Sequence, residues 1–414
     1  MIRKLLLLGA LLVWVQHLGR TALAKVNPVD SPENLTQTSQ IQESQPQSVE
    51  VNEAEPKPLA MPQSPGAANA PLHQFLLSTL VLPLPPLLIP DLLLPPYNFP
   101  SFNSNRLDQE LRIYTQYLRT TGTPDILIVG SSRSLQGIDP IALQQALVKQ
   151  GYPELKIFNF GINGGTAKVN EILLRRILTA EQLPRLIIWG DGSRAFNNGR
   201  PDLTYNGIVA SEGYRHLASG DRPIPSHARW DLPVLRAAAN KALATPATAA
   251  EHPSDLDAYG FQKISAVYNP ETYYQRYPWV PGAYDADYIR FNLNGDQQKA
   301  TVAVAELAKS QNVPLVFVNL PLTADYLDAT RLNYEQQFRQ SMQRLAGQAQ
   351  FIFCDLSQQR DLMQNGYFAD PSHINHRGAA AIGAYLATVP SIPWSMFKPE
   401  VQADPEPSAL EDTE

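Results

Sequence analysis

Two short stretches, far apart in the chain, hold residue types that acyl chemistry uses. The first is Gly130-Ser131-Ser132-Arg133-Ser134, directly after the apolar run Ile126-Leu127-Ile128-Val129. A glycine at a strand end permits a tight turn. The serine after it stands at the N-terminus of the next element, where free N–H groups and the helix dipole favour negative charge. That place suits a serine nucleophile, although a helix N-cap is the commoner use of serine there. The second stretch is Phe368-Ala369-Asp370-Pro371-Ser372-His373-Ile374-Asn375-His376-Arg377-Gly378. An aspartate and a histidine three apart in a loop can share a hydrogen bond, which orients the imidazole and favours its charged form. Asn375 is placed to cap a helix that begins at His376, and a capped polar loop without catalysis has the same composition. Between the two lies Asn159-Phe160-Gly161-Ile162-Asn163-Gly164-Gly165-Thr166. Its glycines let backbone N–H groups approach a ligand, or simply supply a turn with φ > 0.

Positioning these stretches is the work of a regular pattern. Short apolar runs at 125–130, 155–160, 185–190, 314–320 and 350–355 read as buried strands. Helical patterns lie around and between them: Leu107, Leu111, Tyr114 and Leu118 up to Thr121, then 141–149, 167–178, 297–310 and 334–345. Strands apolar on both faces that alternate with helices indicate a parallel sheet covered on both sides. In such a sheet ligands bind beyond the carboxyl ends of the strands, and each of the three stretches follows a strand. The alternation breaks between about 200 and 293, a segment rich in tyrosine and tryptophan. It is too long for a plain loop and reads as an insertion. Its rings either pack an irregular subdomain or offer stacking faces to sugars.

Serine first, aspartate and histidine last, and a glycine-rich donor loop between them form the set that acyl transfer requires. Gly130-Ser131-Ser132 resembles the first block of the SGNH/GDSL hydrolases, with Ser131 where that family has aspartate. Ile162-Asn163-Gly164 is similar to the second block, whose glycine N–H joins the oxyanion hole. Asp370-x-x-His373-x-Asn375-x-x-Gly378 is similar to the last block. The third block departs from the pattern. The family usually has Gly-x-Asn-Asp after the third strand, its asparagine donating to the oxyanion, and this chain has Gly190-Asp191-Gly192-Ser193-Arg194-Ala195-Phe196-Asn197. Gly192 stands where the asparagine would align. Arg133, Ser193, Arg194 and Asn197 are the candidates to replace it and to contact substrate.

The resemblance spans roughly 124–382 and implies an α/β fold: a three-layer, flavodoxin-like parallel sheet (the SGNH hydrolase fold) with an aromatic-rich insertion. It implies Ser132, Asp370 and His373 as catalytic residues and the Ser132 and Gly164 N–H groups as oxyanion donors. It also implies an exported esterase or O-acyltransferase whose partner is a carbohydrate or other acyl-ester substrate, acetyl esters of envelope or exported polysaccharide foremost. The altered third block favours a second reading, a catalytically reduced binding or assembly protein of the cell envelope that keeps the fold. A serine hydrolase needs no cofactor. His373 and His376 lack the acidic or cysteine neighbours of a metal site.

Composition narrows the setting. The net charge is −6 with no run of Lys and Arg, which argues against a nucleic-acid partner. The single cysteine, Cys354, lies in the apolar run Phe351-Ile352-Phe353 and reads as a buried structural thiol; with no second cysteine there is no internal disulfide. Arg3 and Lys4, the apolar run 5–15 and Ala22-Leu23-Ala24 have the form of a signal peptide cleaved before Lys25, and the run is short for a bilayer span. An uncleaved anchor, with membrane association through the N-terminus, is the other reading. The expected layout is 1–24 signal or anchor, 25–71 disordered linker, 72–102 proline-rich apolar strap, 103–397 α/β domain and 398–414 acidic disordered tail. Export predicts that mass analysis of protein from the native host finds a chain beginning at or near Lys25. A cytosolic chain that retains Met1 contradicts it.

Overall fold

The apolar runs become the strands of one sheet: β1 Ile126–Gly130, β2 Ile157–Gly161, β3 Leu186–Asp191, β4 Leu315–Asn319 and β5 Ile352–Asp355. All four pairings are parallel and the order is β2-β1-β3-β4-β5. These come from a computed structural model that describes residues 98–224 and 255–398. The expectations about the signal or anchor, the linker, most of the strap and the acidic tail lie outside the described residues.

Because successive side chains in a strand point to opposite faces, an all-apolar strand feeds two cores. Leu127, Phe160, Trp189 and Phe317 face one core, closed by α1 (Asn105–Thr120), α4 (Ala167–Ile172), α8 (Asp296–Ser310) and α9 (Ala329–Ala349). Ile126, Ile188 and Val316 face the other, closed by α3 (Pro140–Lys149) and α10 (His376–Ala387). The remaining helices are α2 (Ser132–Gly137), α5 (Leu203–Ala210), α6 (Glu212–Ala218) and α7 (Pro270–Arg276). The architecture is the expected three-layer α/β sheet in flavodoxin-like strand order. Cys354 is buried and free, as its apolar surroundings implied, and burial pushes its thiol up to about 11.

Two helices differ from their periodicity. The helix expected over 167–178 is α-helical only to Ile172 and then widens into a π turn over Leu173–Ile177. The wider turn keeps Leu173, Leu174 and Ile177 buried while Arg175 and Arg176 stay outside. The helix expected over 334–345 runs from Ala329 to Ala349. Its first turns escape an apolar-periodicity reading because their inward residue is Arg331, whose guanidinium donates to Asp285 and Asp328.

The described parts of the insertion serve the sheet and the loops at its carboxyl edge. Asn159 N–H, on the outer edge of β2, donates to Tyr259 O at 2.8 Å, so the 255–262 segment covers an edge that would otherwise be open. Gly260, at φ +74°, passes flat against the Phe158 ring there. The segment that follows is tied to the Asp370–His373 loop: Tyr268 N donates to Phe368 O at 2.8 Å and His376 N to Ile264 O at 2.9 Å.

Helix α2, which carries Ser132, lies directly on the end of β2. A β-carbon at Gly161 would stand 2.5 Å from Leu135 N and 2.6 Å from Leu135 Cα. Backbone cannot yield as a flexible side chain does, so Gly161→Ala is expected to lower unfolding stability by about 1–3 kcal/mol. Urea denaturation checks this, and a wild-type midpoint would contradict the close approach.

Candidate active site

The loop between β5 and α10 is built around one carboxylate. Asp370 Oδ1 accepts from Ser372 N at 2.8 Å, His373 N at 2.9 Å and Ser372 Oγ at 3.1 Å. Its Oδ2 lies 2.7 Å from His373 Nδ1. Burial works against the charge, yet the His373 charge and the hydrogen bonds from His373 and Ser372 outweigh it and hold the carboxyl well below the usual carboxylate range. An ionised carboxylate can only accept, so Nδ1 carries a proton, and in the neutral ring Nε2 is then an acceptor. Ser132 Oγ stands 3.0 Å from that Nε2. The expected trio is therefore brought together by residues 241 positions apart in the chain.

Two further ties keep the loop in place. Thr323, after β4, donates to Pro371 O from both its N–H (3.2 Å) and its hydroxyl (3.1 Å). Asn375 caps α10 through Oδ1, as its position implied, and its Nδ2 donates to Ala266 O, Gly366 O and Phe368 O.

Ser132 opens α2, and its setting depends on the residue before it. Ser131 is the N-cap, its Oγ accepting from Arg133 N at 3.2 Å. Ser131 N and Oγ in turn donate to Asp191, at the end of β3, at 3.0 and 2.9 Å. The carboxylate absent from position 131 thus comes from the neighbouring strand. Burial outweighs the Arg133 charge and these hydrogen bonds and pushes Asp191 up to about 6. Among the described residues, neither Ser132 N–H nor Gly164 N–H donates to another protein group. Gly164 sits at φ +67°, and a β-carbon there would overlap Thr204 Oγ1, so the position requires glycine.

Each of the four third-block candidates already has a protein partner in the structure. Ser193 is fully buried and donates to Glu335, which Tyr288 OH also reaches at 2.6 Å. Asn197 donates to Asp287 O and Ile289 O and accepts from Gly199 N and Asn292 N. Those four bonds use the whole amide to fasten the end of the insertion to the loop after β3. Arg194 is held by Asp287 at 3.0 Å and lies close enough to Asp370 for their charges to interact. Arg133 is only 3% exposed, and its Nη2 donates to Leu320 O and Pro321 O at 2.8 and 2.7 Å. A β-carbon on Gly192 would overlap Arg133 Nη1.

No family model and no curated protein matches the chain. Among solved structures the chain is similar to a putative lipolytic protein of the G-D-S-L family from Desulfitobacterium hafniense DCB-2. That match has 12% identity, a TM-score of 0.29, and covers 63% of this chain and 97% of that one. The strand order alone identifies the fold.

Around the trio stand groups that the sequence did not single out. Asp287, from the insertion, lies near enough to His373 to feel its charge; burial opposes ionisation, but Arg194 and Arg200 hold its carboxyl below the usual range. Tyr273 is pushed up to about 12 by burial and by the Asp370 charge. The insertion rings Tyr268, Tyr273, Tyr274 and Tyr277 pack on one another, while Trp279 and Tyr284 are exposed.

The depressed Asp370 carboxyl fixes the sign of a pH effect. Its stabilising contribution is fully present above the unfolded aspartate value of about 3.9 and is lost as pH falls through the lower folded value. The melting-temperature gap between wild type and Asp370→Asn is therefore expected to shrink as pH drops from 6 to below 3. A gap that widens on acidification would contradict the assigned charge state.

Proposed function

We propose that the chain is an SGNH/GDSL-type serine enzyme that transfers acyl groups. The observation that carries this reading is the contact series Ser132 Oγ–His373 Nε2 at 3.0 Å and His373 Nδ1–Asp370 Oδ2 at 2.7 Å on the carboxyl side of a parallel sheet. His373 takes the Ser132 proton as the hydroxyl attacks an ester carbonyl, and Asp370 holds the imidazole and stabilises its cation. The Ser132 and Gly164 N–H groups receive the oxyanion, each such donor contributing about 3–4 kcal/mol in related chemistry. His373 then protonates the leaving alcohol. Water resolving the acyl-enzyme makes an esterase; a sugar hydroxyl makes an O-acyltransferase.

The finer assignment is to acyl esters, acetyl foremost, of an envelope or exported polysaccharide. The signal-like start at 1–24 supports export to the periplasm or envelope, and the exposed Trp279 and Tyr284 suit sugar faces. A catalytically reduced envelope binding or assembly protein is the second reading, favoured by the glycine at 192.

Ser132→Ala and His373→Ala are each expected to abolish ester cleavage and labelling by an organophosphonate; Ser132→Ala changes stability little, while His373→Ala also takes from Asp370 its imidazole partner and lowers stability. The double variant loses little more than either single, since residues acting as one unit are non-additive. Asp370→Asn is expected to lower kcat by about 10³- to 10⁴-fold. Assays with p-nitrophenyl acetate, then acetylated polysaccharide, then an acetyl donor with a sugar acceptor read these effects. Cleavage that survives Ser132→Ala supports the binding-protein reading instead.

A further inference from the structure

Arg133 is a cation in an unusual position. It follows the nucleophile directly in the first turn of α2 and is 3% exposed. Of its three nitrogens, Nη2 donates to two backbone carbonyls and Nε is buried with no partner. It forms no ion pair among the described residues. Asp191 and Glu335 act on it only through space, and each is already engaged, Asp191 by Ser131 and Gly192, Glu335 by Ser193 and Tyr288. A buried charge without a full counter-charge is costly, and burial pulls the Arg133 pKa below the ordinary arginine value, as that shortage implies. Its Nη1 fills the space that a side chain on residue 192 would occupy, so Gly192 and Arg133 are complementary: the guanidinium is present because the side chain is absent.

Resting on the acyl-transfer reading, we infer that the Arg133 guanidinium takes the place of the side-chain donor missing at Gly192 and stabilises the oxyanion formed when Ser132 attacks an acyl carbon. In that step the Ser132 Oγ–carbon bond forms, the carbonyl π pair moves onto its oxygen, and the hydroxyl proton passes to His373 Nε2. Collapse of the tetrahedral centre returns the pair, breaks the bond to the leaving alcohol and hands that alcohol the proton. The oxyanion's negative charge exists only between those events. A cation lacking its partner in the resting enzyme and gaining one in the transition state lowers the barrier without tightening substrate binding.

The rival is a structural tie, Arg133 merely holding the Leu320–Pro321 carbonyls. Steady-state kinetics with p-nitrophenyl acetate, thermal melts and phosphonate labelling of Ser132 separate the two. Arg133→Gln and Arg133→Ala are expected to lower kcat by about 10²- to 10³-fold with KM nearly unchanged, and Arg133→Lys to retain more activity than Arg133→Gln. Gly192→Asn alone clashes with the guanidinium and loses activity. In Arg133→Ala/Gly192→Asn the amide has both room and position, and kcat recovers at least about tenfold over Arg133→Ala. A structural tie gives no such recovery, since the asparagine does not restore the Leu320 and Pro321 bonds. Equal activity of Arg133→Lys and Arg133→Gln, or a double variant no better than Arg133→Ala, overturns the inference even if the single alanine variant folds poorly. A wild-type chain that neither cleaves the ester nor labels at Ser132 sinks the acyl-transfer reading, and this inference with it.

Discussion

A parallel sheet covered on both faces has one place to put polar groups, the edge where its strands end. There the ladder stops, peptide groups lose their partners, and any side chain that satisfies them is pulled partly out of water. In this protein β1 ends at Gly130 and β3 at Asp191, and the two ends are joined by the Asp191 carboxylate bonding Ser131. That single carboxylate fixes the first turn of α2, and with it the direction in which Ser132 leaves the sheet. It also sits beside Arg133, so the end of β3 concentrates opposite charges in a region where each is poorly solvated. The electrostatics of the edge follow from this crowding: burial pushes the Asp191 carboxyl up and pulls the Arg133 guanidinium down.

The loop holding Asp370 and His373 begins well beyond the end of β5 at Asp355, and it borrows rigidity from elsewhere. Thr323 supports Pro371 from the β4 side, while Ile264, Ala266 and Tyr268 of the insertion bind His376, Asn375 and Phe368. The insertion therefore supports the loop that holds Asp370 and His373 as well as covering the β2 edge. Its far end returns through Asp287, whose partners Arg194 and Arg200 come from the segment after β3. On the proposed mechanism His373 accepts a proton and needs a fixed ring; its loop is held by segments 48 and 109 positions away in the chain.

What the sequence made legible were features whose cause is local. All-apolar runs became strands because both their faces are buried. Asn375 could be read as a cap because its side chain bonds residues two and three positions on. Ser132, Asp370 and His373 could be proposed because each follows an apolar run that had to end at the same edge. Features with a distant cause were hidden. Ser193, Asn197 and Arg194 looked like free polar residues after a strand, but their partners Glu335, Ile289 and Asp287 lie about ninety or more positions away. Asp191 was read as the variable position of a motif, since nothing near it in sequence says that its carboxylate replaces one missing at position 131. The overlap between a β-carbon at Gly192 and Arg133 joins two positions that nothing in the sequence relates.

Hydrolysis and transfer share every step as far as the acyl-enzyme and diverge only in which hydroxyl reaches it. The side chains of His373 and Asp370 are 28% and 31% exposed, so in the form described here water has access to the base that would activate it. For an acceptor sugar to win, it must occupy that same approach and exclude water by its own bulk, because hydroxyl reactivity alone does not discriminate. The rim that such an acceptor would meet carries Tyr273, Arg194 and Asp287, all close enough to the trio for their charges to be felt. Asp287 is paired with both Arg194 and Arg200, which ties the end of the insertion to the segment after β3.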